Sequence, residues 1–264
     1  MQVNAPELTD VLERVGEVKS SLYGTTRTIS EWRQQYLRGV ERARQASEIE
    51  VFGRFVGGGL LEVAMLGEAY ERRIEKFPSF FRSYDDISEG RVQEFLRAVR
   101  YRFPPAGLAV VMKAKDIVTA PGFSWPRYFE EAERHYREDF PDDTFRRIKH
   151  VGYKTRDLGL SEFSTSFVAM DLHVTRVTAR TGLLLHGYGD PDITTNQLTE
   201  RGYLFLHRLL LRLSESTGWP DGGYSPGEID RMFWYFGRAL CGARPRCSTC
   251  PLARVCVTAT RGRE

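Results

Sequence analysis

"FPDDTFRRIKHVGYKTRDLGLSEFSTSFVAMDLHVTRV", residues 140–177, is the stretch on which the fold turns. A short helix over 142–148, entered behind Pro141-Asp142-Asp143, leads to a tight turn around Val151-Gly152, and a second helix starts near Lys154. Helix hairpins of this size are common packing units and by themselves say little about function. This one has the chemistry of an anion site as well: the turn and the helix N-terminus behind it aim backbone N–H groups outward, as phosphate-binding nests do. Beyond it, Met170-Asp171-Leu172-His173 opens a further helix over 171–183, with Asp171 also suited to be its N-cap.

Outward from this stretch the periodicity is helical. Apolar residues recur at three- and four-residue spacing over 7–22 and 30–47. Residues 52–77 form a long apolar stretch interrupted by Gly57-Gly58-Gly59 and followed by Pro78. Ser88 is the N-cap expected for a helix over 88–100, and helices follow at 106–118, 125–138 and 154–165. After the loop HGYGDPD (186–192), helices at 194–216 and 226–240 complete the chain up to its cysteines. No β-rich alternation and no internal repeat stands out, so the expected fold class is all-α. A chain of 264 residues is long enough for one large domain or two small ones.

All four cysteines lie in "CGARPRCSTCPLARVC", residues 241–256, spaced C-x5-C-x2-C-x5-C. Residues 1–15 are acidic and lack an apolar signal core, and no apolar run reaches the roughly 20 residues of a membrane span. That points to a cytoplasmic protein, in which clustered cysteines bind metal more often than they form disulfides. Four thiolates hold either a tetrahedral zinc or an iron–sulfur cubane. Zinc modules usually present two C-x2-C knuckles on a longer arm. A single C-x2-C inside so short a segment suits a chain wrapped around one [4Fe–4S] cluster. Five arginines stand between Cys241 and the C-terminus (Arg244, Arg246, Arg254, Arg261, Arg263) against one acid, Glu264, which makes a phosphate-binding surface or a solvated tail. Only six lysines occur (Lys19, Lys76, Lys113, Lys115, Lys149, Lys154). An ammonium can lose its proton where a guanidinium cannot, so a lysine in a special setting carries weight as a nucleophile.

Together the hairpin, the aspartate and the cysteine loop resemble the endonuclease III family of helix–hairpin–helix DNA glycosylases. Ile148-Lys149-His150-Val151-Gly152-Tyr153-Lys154-Thr155-Arg156 stands where that family has L-P-G-V-G-x-K-T-A with its catalytic lysine. Met170-Asp171-Leu172-His173 stands where it has a V-D-T-H-like segment with its catalytic aspartate, and Pro245-Arg246-Cys247-Ser248-Thr249-Cys250 matches its P-R-C-x-x-C. The resemblance runs over roughly residues 50–256. Departures are His150 for the first hairpin glycine, Lys149 for the proline before it, and x5 for the family's x6 in the first cysteine gap. No glutamine occurs in Gly59–Tyr70, where the family carries one that fills the hole left by an extruded base.

The resemblance implies two lobes, a helical barrel lobe over 48–165 with the hairpin, and a cluster lobe of 1–47 plus 166–264. It implies Lys154 and Asp171 as catalytic residues, facing each other across a cleft. It also implies DNA contacts from Lys149, His150, Val151, Gly152, Arg244 and Arg246, and a [4Fe–4S] cluster on Cys241, Cys247, Cys250 and Cys256. The partner is double-stranded DNA with a damaged base or abasic site, met by a monomer at the nucleoid, without a membrane. The activity implied is that of a bifunctional glycosylase and abasic-site lyase acting on oxidised pyrimidines. Two alternatives stand beside it: a glycosylase for another base, and a DNA-binding homologue with degraded catalysis.

Overall fold

The computed structural model describes residues 5–22, 24–62, 67–136, 143–183, 200–256 and 258–259. The chain forms two compact units, Met1–Arg38 with Met170–Glu264, and Gly39–Ala169. The described residues are overwhelmingly helical, as expected from the periodicity. No helix among them is long and apolar enough to cross a membrane.

In the 39–169 unit, α3 (Glu48–Phe52) begins with a capping box in which the Ser47 N–H donates to the Glu50 carboxylate at 2.9 Å. It runs directly into a π-helical segment, Gly53–Leu60, buried almost along its whole length. Helices α4 (Gly67–Phe80), α5 (Glu89–Ala98), α6 (Pro104–Val118) and α7 (Trp125–Arg134) follow, and a 3-10 turn (Phe145–Arg147) leads to α8 (Tyr153–Ser161). Phe52, Phe55, Phe77, Phe81, Phe95 and Phe145 are all less than 2 % exposed and make the centre of the core. Their rings meet at angles, as in Phe55 against Phe145 with centroids 4.7 Å apart.

The glycine run that interrupts the apolar stretch has a packing role. A Cβ on Gly59 would lie 2.3 Å from Gly159 Cα and 2.4 Å from Gly159 N, both backbone atoms of α8. Only a residue without a side chain lets the two backbones approach so closely. Gly59 therefore seats the helix that follows the hairpin.

In the other unit, α11 (Pro226–Ala239) is central and packs against α1 (Ala5–Gly16), α9 (Leu172–Thr181), α10 (Glu200–Ser216) and strand β1 (Lys19–Leu22). The N-terminal part is not a single helix over 7–22. α1 stops at Gly16, and β1 (Lys19–Leu22) pairs antiparallel with β2 (Thr25–Thr28) before α2 (Ile29–Ala43). Ser20 and Leu22 are buried while Lys19 and Ser21 are exposed, a period-two pattern too short to stand out against the helical one before it. Trp32 fixes the hairpin by donating its Nε1–H to Ser20 O at 3.0 Å and stacks on Tyr235 of α11 with centroids 5.7 Å apart. The apolar stretch 52–77 is likewise divided among α3, the π-helical segment and α4. Residues 140–142 of the expected 142–148 helix and its approach, the HGYGDPD loop, and the start of the 194–216 helix lie outside the described residues.

Candidate active site and cysteine loop

The hairpin is built on a four-residue turn. Val151 N–H donates to Ile148 O at 3.0 Å, and both side chains are buried, which pins the turn to the core. Lys149 and His150 form its exposed corner. His150 has φ +77°, in the left-handed region that costs a residue with a Cβ about 1–2 kcal/mol. Histidine, where the resembling pattern has glycine, thus leaves the turn intact and adds a side chain at its tip. Gly152 is exposed and caps α8, accepting from Arg156 N–H at 3.1 Å and exchanging hydrogen bonds with the Thr155 hydroxyl at 3.0 and 3.1 Å. Its own N–H is thereby used inside the hairpin. Lys154 lies in the first turn of α8, half-buried, where backbone N–H groups have no intrahelical acceptor.

A buried polar network holds the arms of the hairpin together. Asp143 Oδ1 accepts from the N–H groups of Phe145 (2.8 Å) and Arg146 (3.1 Å). Its Oδ2 accepts from Tyr128 Oη and Arg156 Nη1, each at 3.0 Å. Arg156 also donates to Asp157 at 2.5 Å. Burial alone would lower the guanidinium's pKa, but Asp157 and Asp143 more than offset it and hold Arg156 charged. Burial, reinforced by Asp143, pushes the Tyr128 phenol well above its usual range, so it stays a donor. The network joins residues on both sides of the turn and α7, and the sequence offered one signal for it: Arg156 stands where the resembling pattern has alanine.

Asp171 is the N-cap of α9. Its Oδ1 accepts from the N–H groups of His173 (2.7 Å) and Val174 (3.1 Å), and its carbonyl accepts from the Thr175 hydroxyl at 2.7 Å. Oδ2 accepts no hydrogen bond among the described residues. The carboxylate is therefore oriented through one oxygen. Burial pushes the neighbouring His173 imidazole below its usual pKa; Asp171 opposes this, and Arg238 and Arg176 reinforce it. Lys154 and Asp171 belong to different units of the chain.

All four cysteines are outside any disulfide and line one small cavity together with Arg180, Phe236 and Leu252. Arg180, from the last turn of α9, donates to the carbonyls of Cys241 (3.1 Å) and Gly242 (2.5 Å) and reaches Cys241 Sγ at 3.7 Å. Cys256 Sγ donates to the Arg180 carbonyl at 3.0 Å. Burial pushes the Cys241 and Cys250 thiols up, and the neighbouring cysteines add to the shift. Among the described residues, no group of three or more His, Cys, Asp or Glu side chains forms a site for a metal ion. Arg244 and Arg246 are exposed on the loop.

Two solved structures share this arrangement of helices. One is a trapped endonuclease III–DNA covalent intermediate, an estranged-adenine complex, 17 % identical with a TM-score of 0.56 over 90 % of this chain and 100 % of the other. The second is the 8-oxoguanine DNA glycosylase of Thermotoga maritima, 19 % identical with a TM-score of 0.54 over 88 % of this chain and 96 % of the other. The fold is that of the helix–hairpin–helix DNA glycosylases. No family model and no curated protein matches the sequence. Within this fold the N-terminal β-hairpin and its Trp32 anchor pack with α11, and the Asp143–Arg156 network ties the turn before α8 to α7.

Proposed function

We propose that the chain is a DNA glycosylase with abasic-site lyase activity, excising a damaged base, an oxidised pyrimidine, from duplex DNA. One observation carries this reading: Lys154 stands in the first turn of α8, directly behind an exposed turn anchored by Ile148 and Val151. An anionic backbone held at the first turn of α8, whose leading N–H groups have no intrahelical acceptor, brings its sugar to the lysine. Lys154 Nζ, as the neutral amine, attacks C1′; the C1′–N bond to the base breaks, and the base leaves with a proton. The sugar ring opens to a protonated imine, loss of a C2′ proton follows, and the 3′ phosphate is expelled by β-elimination. Asp171 Oδ2 stabilises positive charge on the sugar and relays protons. The nucleotide has to leave the stack first, which a damaged pair makes less costly.

The cysteine loop offers the ligand type and number of a [4Fe–4S] cluster, since four thiols outside any disulfide line a single cavity. Cys241, Cys247, Cys250 and Cys256 would hold it. The cluster would cross-link the loop and present Arg244 and Arg246 to phosphates, and no step of the proposed chemistry draws on it. Anaerobically purified protein is expected to carry about four irons per chain. One zinc and no iron would exclude the cluster and leave the glycosylase reading in place.

Borohydride trapping on abasic duplex DNA tests the function. Wild-type protein is expected to become covalently attached, and Lys154→Ala to lose attachment while retaining DNA binding. Asp171→Asn is expected to slow base excision by about 10²-fold, the scale of one electrostatic or acid–base group, with a smaller defect on a pre-formed abasic site. Loss of trapping in Lys149→Ala but not in Lys154→Ala would overturn the assignment of the nucleophile. The likeness to an 8-oxoguanine glycosylase favours a second reading, an oxidised purine as the excised base. A panel of duplexes, each with one lesion, separates the two.

A further inference from the structure

The 39–169 unit contains a cavity of about 410 Å³ to which the proposed reaction gives no role. It is walled by the segment joining α2 to α3, by one face of α7 and by the chain just after α8. That volume lies within the range of small-molecule sites, roughly 300–1,000 Å³. Its inner wall is aromatic. Trp125 stacks on Phe129 with centroids 5.4 Å apart, and Phe129 stacks on Phe163 at 4.6 Å, both with ring planes 23° apart. Trp125, Phe163 and Phe167 are nearly fully buried, but Phe129, the middle ring of the stack, is only half-buried although it lines the space. Apolar rings give water few partners, so such a volume is better filled by an organic ligand than by solvent.

The polar groups select the ligand. The lining carries three carboxylates, Glu48, Glu130 and Glu133, against one guanidinium, Arg44. The Arg44 Nε donates to Phe163 O at 3.0 Å, and Glu133 accepts from the Ser164 hydroxyl. Glu48 and Glu130 are exposed at the edge, and neither forms an ion pair among the described residues. A cavity with this charge repels DNA phosphates. Stacked rings behind free carboxylates favour a positive charge carried on a flat apolar body, through cation–π and ion-pair attraction together.

We propose that this cavity is a binding site for a small planar aromatic cation, separate from the DNA site. Three molecules of nearly one shape test it by calorimetry on the full chain without DNA: 1-naphthylmethylammonium, the neutral 1-naphthalenemethanol and the anionic 1-naphthoate. The cation is expected to bind most tightly, the alcohol about fivefold or more weaker, and the anion weakest. In Glu48→Gln/Glu130→Gln, two exposed and fold-neutral changes, the cation's advantage over the alcohol is expected to vanish. Ala46→Phe, at the edge of the same space, is expected to abolish binding of both. Equal binding of cation and anion, or an undiminished cation preference in the double variant, would overturn the proposal. Borohydride trapping by the double variant is expected to equal wild type, so this site and the glycosylase reading fail independently.

Discussion

Replacing Gly59 with alanine puts a methyl group where α8 already is. The added Cβ would stand 2.3 Å from Gly159 Cα, 2.4 Å from Gly159 N and 3.0 Å from Thr155 O. Carbon atoms in contact sit about 3.5–4.0 Å apart, so relief takes a displacement of more than about 1 Å. The obstructing atoms are backbone and cannot rotate away, so α8 has to shift as a body. Overpacking of this kind costs about 1–3 kcal/mol, and the smaller unfolded-state entropy of alanine returns only about 0.4–1. The difference, a net loss of about 1 kcal/mol, lowers the midpoint of thermal unfolding by roughly 2–4 °C for a chain of this size. The functional loss is larger, because Lys154 rides on α8: a misplacement of about 1 Å costs on the order of 10²-fold. The same π-helical segment supplies the control. A Cβ on Gly57 meets nothing within 4 Å, so Gly57→Ala is expected to be neutral or slightly stabilising. Calorimetric unfolding and the rate of borohydride trapping, measured on both variants, decide the matter. If Gly59→Ala unfolds and traps like Gly57→Ala, α8 does not rest on Gly59 and the reasoning is wrong.

His150→Val is expected to cost about 1–2 kcal/mol in urea unfolding, because a β-branched residue tolerates φ +77° poorly, whereas His150→Gly is expected to keep full stability. His173 has a folded-state pKa below the ordinary 6.5, chiefly through burial, so the unfolded chain takes up its proton first. Stability is therefore expected to fall as pH drops from about 6.5 through the lower folded-state value, and His173→Gln to flatten that part of a urea-midpoint profile. Changing Arg244 and Arg246 together to alanine is expected to weaken binding alike on all DNA sequences. It should also reduce the slope of log affinity against log salt by about 0.9 per lost phosphate contact, and an unchanged slope assigns both to solvent.

The helical class, the order of most helices, the tight turn before Lys154 and the N-cap position of Asp171 were legible from the residues alone. Each depends on residues within a turn or two of one another, where apolar spacing, turn chemistry and side-chain capping act locally. The cysteine spacing was equally legible, because all four cysteines lie within one short stretch, 241–256. Tertiary structure alone decided the remainder. Lys19–Leu22 is a strand because Trp32 and α11 cover one face of it, not because four residues carry a strong pattern. The glycine run reads as a break in the sequence and becomes a contact surface only once Gly159 arrives against it. Asp143 and Arg156 are ordinary charged residues until the hairpin closes and removes both from water, after which each is the other's necessary partner. The aromatic cavity likewise exists only where α7 and the chain after α8 meet the end of α2, because an empty volume is a property of packed surfaces and not of any one segment.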